Sequence, residues 1–206
     1  MGVGDPNITR LLEHPAIWRG RSAAQRAGLP TGFTALDEYL PDKGWPRTGL
    51  IEILVTRFGS GELTLLMPAL AALTRTAAAR WCVWVAPPLV PFAPALVSCG
   101  MELDRVAVVG GSQPLWALEQ TLGSGACDAV LGWVRQVQHR QVRRLQLAAE
   151  RGRTLGVLFR PRRAARETST AVLRLSVEPC ASGARITLLK GRSAHRAVLD
   201  LPWPGS

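Results

Sequence analysis

Short apolar runs of strand length alternate with longer amphipathic segments along most of the chain. The apolar runs predict strands at 50–55, 81–86, 105–109, 128–134 and 154–159. Helices are predicted at 62–80, 92–99, 114–122 and 138–151, and a short helix ending near residue 40 precedes the first strand. Strands and helices that alternate at this spacing are typical of a mostly parallel α/β sheet with helices on both faces.

The pattern changes after Arg160. Residues 160–169 are rich in arginine and predict an exposed loop. Three apolar runs follow without helical segments between them, at 171–177, 185–190 and 196–201. Ser182 and Gly183 suit a hairpin turn between the first two of these runs. We therefore expect a C-terminal antiparallel β extension on the parallel sheet.

The composition is that of a globular protein. Of the 206 residues, 47% are hydrophobic and 19% are charged, which excludes general disorder. We expect a polar lead-in at residues 1–27 and one domain at 28–203. The apolar stretches are too short for a transmembrane helix, and the first residues lack the pattern of a signal peptide. Four widely spaced cysteines without a CxxC pair, and three scattered histidines, suit a reducing cytoplasm and predict no metal site.

The net charge of +10 is concentrated in one stretch, residues 135–166, which we call the basic segment. It contains ten arginines and one acid, Glu150, so nine of the ten net positive charges lie there. A localised basic segment favours a polyanionic partner, because counterions are released when arginine meets phosphate. The alternative is a solvated, arginine-rich face in a chain that uses little lysine.

The segment after the first predicted strand has the position of a phosphate-binding loop. Against the pattern GxxxxGK[ST], Thr56 takes the first glycine position and Gly61 the last, with Gly59 between them. Glu62 stands at the lysine position and Leu63 at the position of the magnesium-binding hydroxyl. A carboxylate there repels triphosphate, so we predict a protein that is not an enzyme and needs no cofactor. The alternative is that the glycines only form a turn, in a fold that never bound nucleotide.

Several ordered segments carry a family resemblance, which spans about residues 28–201. GLPTGFTALDEYLPDKGWPRTGLIEIL resembles the lead-in and first strand of RecA proteins. Similarity to the ImuA group within that family lies in GELTLLMPALAAL, WVAPPLVPFAPAL, LEQTLGSGACDAVLGW, RRLQLAAE and GVLFRP. The C-terminal AVLRLSVEP and ARITLLKGRSAH are similar to the closing β-hairpin of a RecA core.

The resemblance implies a RecA-like core without ATPase chemistry. An ImuA-like chain would be a non-catalytic accessory protein of SOS-induced translesion DNA synthesis. Its implied partners are an ImuB-like protein, RecA and an error-prone C-family polymerase. The same superfamily contains SulA-like inhibitors of cell division, which bind the tubulin-like protein FtsZ, and this is the alternative function. The clustered positive charge favours the first function, since an inhibitor has no evident need for it.

The resemblance also implies where DNA would lie. In RecA cores the loops after the fourth and fifth core strands face the filament axis, and here they correspond to about 135–140 and 160–169. Both loops overlap the basic segment. Six arginines are therefore candidate contacts to single-stranded DNA: Arg135, Arg140, Arg160, Arg162, Arg163 and Arg166.

Three further residues are candidates for a protein interface. Lysines after the closing hairpin of RecA-like proteins reach the nucleotide of the neighbouring subunit, and Lys190 and Arg192 stand at that place. A charged strand end is an equal alternative for both. Trp45 lies in a turn-rich segment and is an interface candidate, with packing against the sheet edge as its alternative role.

Overall fold

The computed structural model of the chain describes residues 28–181, 183–191 and 198–203. Within these ranges the chain forms eight strands: β1 Gly49–Val55, β2 Trp81–Val85, β3 Val106–Val109, β4 Cys127–Trp133, β5 Leu155–Pro161, β6 Leu173–Cys180, β7 Gly183–Lys190 and β8 Val198–Pro202. It forms five α-helices: α1 Thr34–Tyr39, α2 Met67–Thr74, α3 Ala93–Ser98, α4 Pro114–Gly123 and α5 His139–Gly152. Short 3₁₀ helices lie at Leu103–Arg105 and Arg162–Arg166, and we call the second the basic 3₁₀ helix.

The eight strands form one sheet in the order β3-β2-β4-β5-β1-β6-β7-β8. The strands β1 to β6 pair in parallel, whereas β7 pairs antiparallel with β6 and β8 with β7. The predicted mostly parallel α/β sheet with an antiparallel C-terminal extension is confirmed. Because β1, β2, β4 and β5 are parallel, the loops that follow them meet at one edge of the sheet, which we call the carboxyl edge.

Two apolar layers enclose the sheet. On one face α1, α2 and α3 contribute Leu36, Leu70 and Leu96 to a buried cluster. On the other face α4 and α5 contribute Leu118 and Leu145 to a second cluster. Every residue of β1 is buried, as is typical of a parallel strand with both faces covered. Each fully buried leucine stabilises this arrangement by about 1.5–3 kcal/mol.

Helices α4 and α5 approach each other closely because of one glycine. A Cβ atom at Gly152, the last residue of α5, would lie 1.9 Å from the carbonyl oxygen of Leu122 in α4. Any side chain at this position would therefore push the two helices apart. The next residue, Arg153, ends α5 in the left-handed conformation with φ of 51°.

Apolar residues between Val142 and Ala149 face the sheet and leave most of the helix's arginines on its outer side.

The helix predicted at 62–80 is shorter in the structure. Helix α2 begins at Met67, and residues 62–66 form turns. Pro68 lies in the first turn of α2, where its missing N–H breaks no helical hydrogen bond, but it would interrupt a helix that began at Glu62. Glu62 consequently belongs to the loop and not to a helix.

None of the helices in the part of the chain that the structure describes is long and apolar enough to cross a bilayer. Among the same residues, no group of three or more His, Cys, Asp or Glu side chains could hold a metal ion.

Candidate functional site at the carboxyl edge

The loop after β1 is closed by one of its own side chains. The carboxylate of Glu62 is buried and accepts hydrogen bonds from the backbone N–H groups of Gly59, at 2.7 Å, and Ser60, at 2.8 Å. Gly59 and Gly61 have φ angles of 81° and 96°, which glycine adopts without strain. The N–H groups that would face a phosphate in such a loop therefore already hold an anion, supplied by the chain itself.

The other residues of the predicted phosphate loop also have defined positions. Thr56 is exposed at the end of β1, and Leu63 is partly buried against the core. Trp203 covers the loop from the C-terminal side, since a Cβ atom at Gly61 would lie 3.3 Å from its ring. These contacts place an apolar side chain where nucleotide binding needs a hydroxyl group.

An uncovered apolar surface lies beside this loop. In the loop between β2 and α3, Leu89, Val90 and Phe92 are 73%, 92% and 70% exposed. The side chain of Leu89 reaches to 3.8 Å from where a Cβ atom of Gly59 would stand. Phe58 lies in the phosphate loop itself and carries the guanidinium of Arg135 at 5.5 Å from its ring centre. Phe58 itself is partly buried against the core, so we call only Leu89, Val90 and Phe92 the apolar edge patch.

Contiguous exposed apolar side chains of this kind mark interaction sites in soluble proteins. The apolar edge patch is not among the sites predicted from the sequence. A signal was present, because leucine, valine and phenylalanine lie among Pro87, Pro88 and Pro91, where neither a strand nor a helix can bury them. An apolar run in a proline-rich loop is therefore a sign of an exposed apolar surface.

Arg160 is buried, so its assignment as a DNA contact is wrong. Strand β5 continues to Pro161, and the Arg160 side chain points into the protein instead of into an exposed loop. Its guanidinium donates to the carboxylates of Glu52 at 3.0 Å and Glu167 at 2.6 Å. Withdrawn from solvent and paired in this way, it is not accessible to a phosphate.

The partner of Arg160, Glu52, is the centre of a buried ion network. Glu52 lies in the middle of β1 and also accepts a hydrogen bond from Arg174 on β6. Arg174 in turn donates to the carbonyl oxygens of Ala164, at 2.8 Å, and Glu167, at 3.0 Å. The network therefore joins β1, β5 and β6 to the basic 3₁₀ helix and to the residue that follows it.

The remaining candidate arginines are exposed, and besides Arg135, which lies over Phe58, two of them have partners within the protein. Arg162 pairs with Glu178 at 3.0 Å, and Arg163 donates to the carbonyl oxygen of Arg135 at 3.3 Å. Arg140 lies in the first turn of α5, and Arg166 ends the basic 3₁₀ helix. The structure brings Arg135 and Arg163 together at the carboxyl edge. DNA binding by these five exposed residues stays a prediction.

The three interface candidates have different outcomes. Trp45 is fully buried, so its assignment to an interface is wrong: its backbone pairs with Leu29 in both directions at 2.7 Å, which draws the indole into the core. Lys190 is exposed at the end of β7 and donates to the carbonyl oxygen of Ser169 at 2.8 Å. Partial burial and the nearby Arg174 lower the pKa of the Lys190 ammonium. Arg192 and the lead-in at 1–27 lie outside the described residues.

Comparison with known proteins identifies a family. The family model described as "Cell division inhibitor SulA" matches residues 49–156, from β1 to the beginning of β5. This span contains the phosphate loop and the apolar edge patch. SulA of Photorhabdus laumondii is 34% identical over 96 residues, which are 45% of this chain and 54% of that protein. The chain thus spans about half the length of this relative.

Other SulA proteins match over a larger share of their length. SulA of Klebsiella aerogenes is 32% identical over 120 residues, covering 55% of this chain and 70% of the relative. SulA of Yersinia pestis strain Pestoides F is 31% identical over 139 residues, covering 66% and 73%. The crystal structure of SulA from Pseudomonas aeruginosa shares 24% identity with a TM-score of 0.46, over 54% of this chain and 97% of that one.

These matches correct the function predicted from the sequence. The family model and the curated relatives are all SulA, so the prediction of an ImuA-like accessory protein of translesion synthesis is wrong. Its implied partners, an ImuB-like protein, RecA and a C-family polymerase, have no support. The alternative function that the resemblance implies, a SulA-like inhibitor of cell division, agrees with these matches. The chain belongs to the family of the cell division inhibitor SulA.

Proposed function

We propose that this protein inhibits cell division in the cytoplasm by binding FtsZ, as part of the SOS response. The observation that carries the proposal is the apolar edge patch, which lies inside the span matched by the SulA family and has no cover in the described chain. A stoichiometric inhibitor needs a docking surface and no reaction centre. The carboxyl edge has this combination, because its loop is closed by Glu62 while the neighbouring side chains are free to dock.

The side chains of the patch are of the apolar and aromatic kinds found at the centre of protein interfaces. Burying side chains such as Leu89 and Phe92 stabilises a complex by about 1.5–3 kcal/mol each, before the costs of association. Arg135 lies against Phe58 and adds a cation beside the apolar surface. Aromatic residues and arginine at the centre of an interface often dominate its affinity.

We further infer that the chain neither binds nor hydrolyses ATP and that its domain is a RecA-like core. Support for the fold comes from β1 in the middle of a parallel sheet, followed by a glycine-containing loop and a helix, with the antiparallel extension beyond β6. Support for the lack of nucleotide binding comes from Glu62, whose carboxylate takes the backbone N–H groups and would repel a phosphate.

Assembly of purified FtsZ with GTP, followed by light scattering, tests the inhibitor function. We expect the wild-type protein to suppress assembly at roughly equimolar concentration, as one-to-one docking requires. The double variant Leu89→Ser with Phe92→Ser is expected to bind FtsZ about a hundredfold more weakly or worse, because two apolar contacts of about 1.5 kcal/mol or more each are lost. Val198→Ser, an exposed valine on the edge strand β8, is the matched control and should act like the wild type.

Two results would contradict the proposal. Folded wild-type protein that leaves FtsZ assembly unchanged even in large excess would exclude the inhibitor function. Unaltered inhibition by the Leu89 and Phe92 double variant would exclude the apolar edge patch as the docking surface while leaving the inhibitor function intact.

A further inference from the structure

A second surface lies on the helical face formed by α4 and α5, away from the apolar edge patch. Trp116 of α4 and Leu147 of α5 are 62% and 54% exposed, although both helices otherwise bury their apolar residues against the sheet. Between the helices is a groove of about 290 Å³, whose walls include Trp116, Gln141 and Arg144. A groove of this size lies at the lower limit of small-molecule sites and can receive a few side chains of a protein partner.

Arginines surround Leu147 on the outer side of α5. Arg140, Arg143 and Arg144 precede it by seven, four and three residues, and Arg151 follows four residues later, so all five side chains share one face of the helix. All four arginines are exposed. This face of α5 therefore combines an exposed leucine with a row of positive charge.

Most of this charge is not neutralised within the described chain. Glu119 of α4 pairs with Arg144 at 2.7 Å. Glu150 accepts a hydrogen bond from the neutral Gln146 at 2.7 Å and forms no ion pair with an arginine among the described residues. Arg140 and Arg143 have no acidic partner among the described residues. Two guanidinium groups one turn apart repel each other, and a partner that brings carboxylates to them would remove that repulsion.

We propose that the α4–α5 face binds an acidic amphipathic segment of a partner protein. The segment's apolar side chains would pack against Trp116 and Leu147, and its carboxylates would meet Arg140 and Arg143. This is the helix-in-groove mode of recognition, in which apolar anchors at helical spacing are flanked by complementary charge. Trp116 alone could stack on a base, but Leu147 offers no second stacking surface and the carboxylate of Glu119 lies in the groove wall, so a nucleic acid fits less well.

Fluorescence anisotropy with a labelled peptide tests the proposal. The probe has leucines at positions i, i+4 and i+7 and glutamates elsewhere, and a second peptide has the same composition with the leucines scattered. We expect the amphipathic peptide to bind, and Trp116→Ala or Arg143→Glu to weaken binding about tenfold or more. Arg105→Glu makes the same charge change at another exposed arginine and should alter affinity less than about twofold.

Three outcomes would overturn the proposal. Equal affinity for the scattered peptide would show that only net charge matters. A loss of affinity in Arg105→Glu as large as that in Arg143→Glu would show the same. Tighter binding of oligothymidine, lost in the Trp116 and Arg143 variants, would assign the face to nucleic acid instead. The surface is independent of the proposed FtsZ site, so these two variants should still inhibit FtsZ assembly if that function holds.

Discussion

Arginines of the basic segment occupy two regions of the molecule with opposite surroundings. Arg160 lies inside the sheet, between Glu52 and Glu167, and its charge is used to hold strands together. Arg140 and Arg143 lie on the surface of α5 without an acidic partner in the described chain. A sum of charges over the segment treats these residues alike. Only the surface arginines are available to a partner, so the number of charges that a polyanion could meet is smaller than the sequence indicates.

The largest expected effect comes from removing the buried carboxylate. Glu52→Ala leaves Arg160 and Arg174 buried without their shared partner and should lower the free energy of unfolding by about 3–5 kcal/mol. Urea unfolding, followed by circular dichroism, measures this loss of stability. Arg143→Ala is the control from the surface region and should change stability by less than about 0.5 kcal/mol.

A loss of this size is a large part of the stability of a typical domain, so Glu52→Ala alone could fail to fold. The triple variant Glu52→Leu, Arg160→Met, Arg174→Met addresses this, because replacing a whole buried ion network with apolar residues is often neutral or stabilising. A folded triple variant beside a strongly destabilised Glu52→Ala would support the ion network. Similar stability of Glu52→Ala and Arg143→Ala would remove the distinction between the two regions.

An intermediate effect is expected at the phosphate loop. Glu62→Ala deprives the N–H groups of Gly59 and Ser60 of their acceptor. Hydrogen bonds to charged groups contribute about 1.5–3 kcal/mol, and water replaces part of this at the edge of a loop, so we expect a loss of about 1–2 kcal/mol. Thermal unfolding measures the loss, and faster hydrogen exchange at these two amides locates it. Unchanged exchange would show that the carboxylate does not hold the loop.

The smallest effect is expected for an ion pair at the surface. Arg185 and Asp200 are 2.7 Å apart on β7 and β8, and both are largely exposed. Hydrogen bonds from Arg185 hold the pKa of Asp200 below its ordinary value of 3.8. The pair therefore stabilises the fold above that pH, and its contribution is lost as the pH falls through the lowered pKa. Asp200→Asn should melt close to the wild type at pH 7, and any difference should vanish in strong acid.

Periodicity in the sequence was sufficient to predict the strands and the sheet type. Apolar runs located the strands because the parallel strands are buried on both faces, and their alternation with helices indicated the sheet type. The side-chain geometry of the candidate site could not be predicted from the sequence in the same way. The sequence predicts that Glu62 is incompatible with triphosphate, but the closing of the loop depends on where its carboxylate points.

The errors have physical causes as well. Arg160 was placed in a loop because PRR follows it, yet the strand continues to Pro161 and its acidic partner is far away in sequence. Glu52, a single acid in the apolar run LIEILV, was the available sign that a buried cation lies nearby. The charge sum then favoured the wrong function between two related families.

The strand order also determines how late during synthesis the sheet can form around β1. Strand β1 lies between β5 and β6, and Glu52 is bonded by Arg160 and Arg174, which are 108 and 122 residues further along the chain. At a synthesis rate of about 5–20 residues per second, β1 waits roughly 5–20 s on the ribosome for its first neighbour. The loop that follows β1 and the patch beside it are unfinished during that time. Under the proposed function, nascent fragments would therefore not inhibit division, and inhibition would begin only once the later strands have been made.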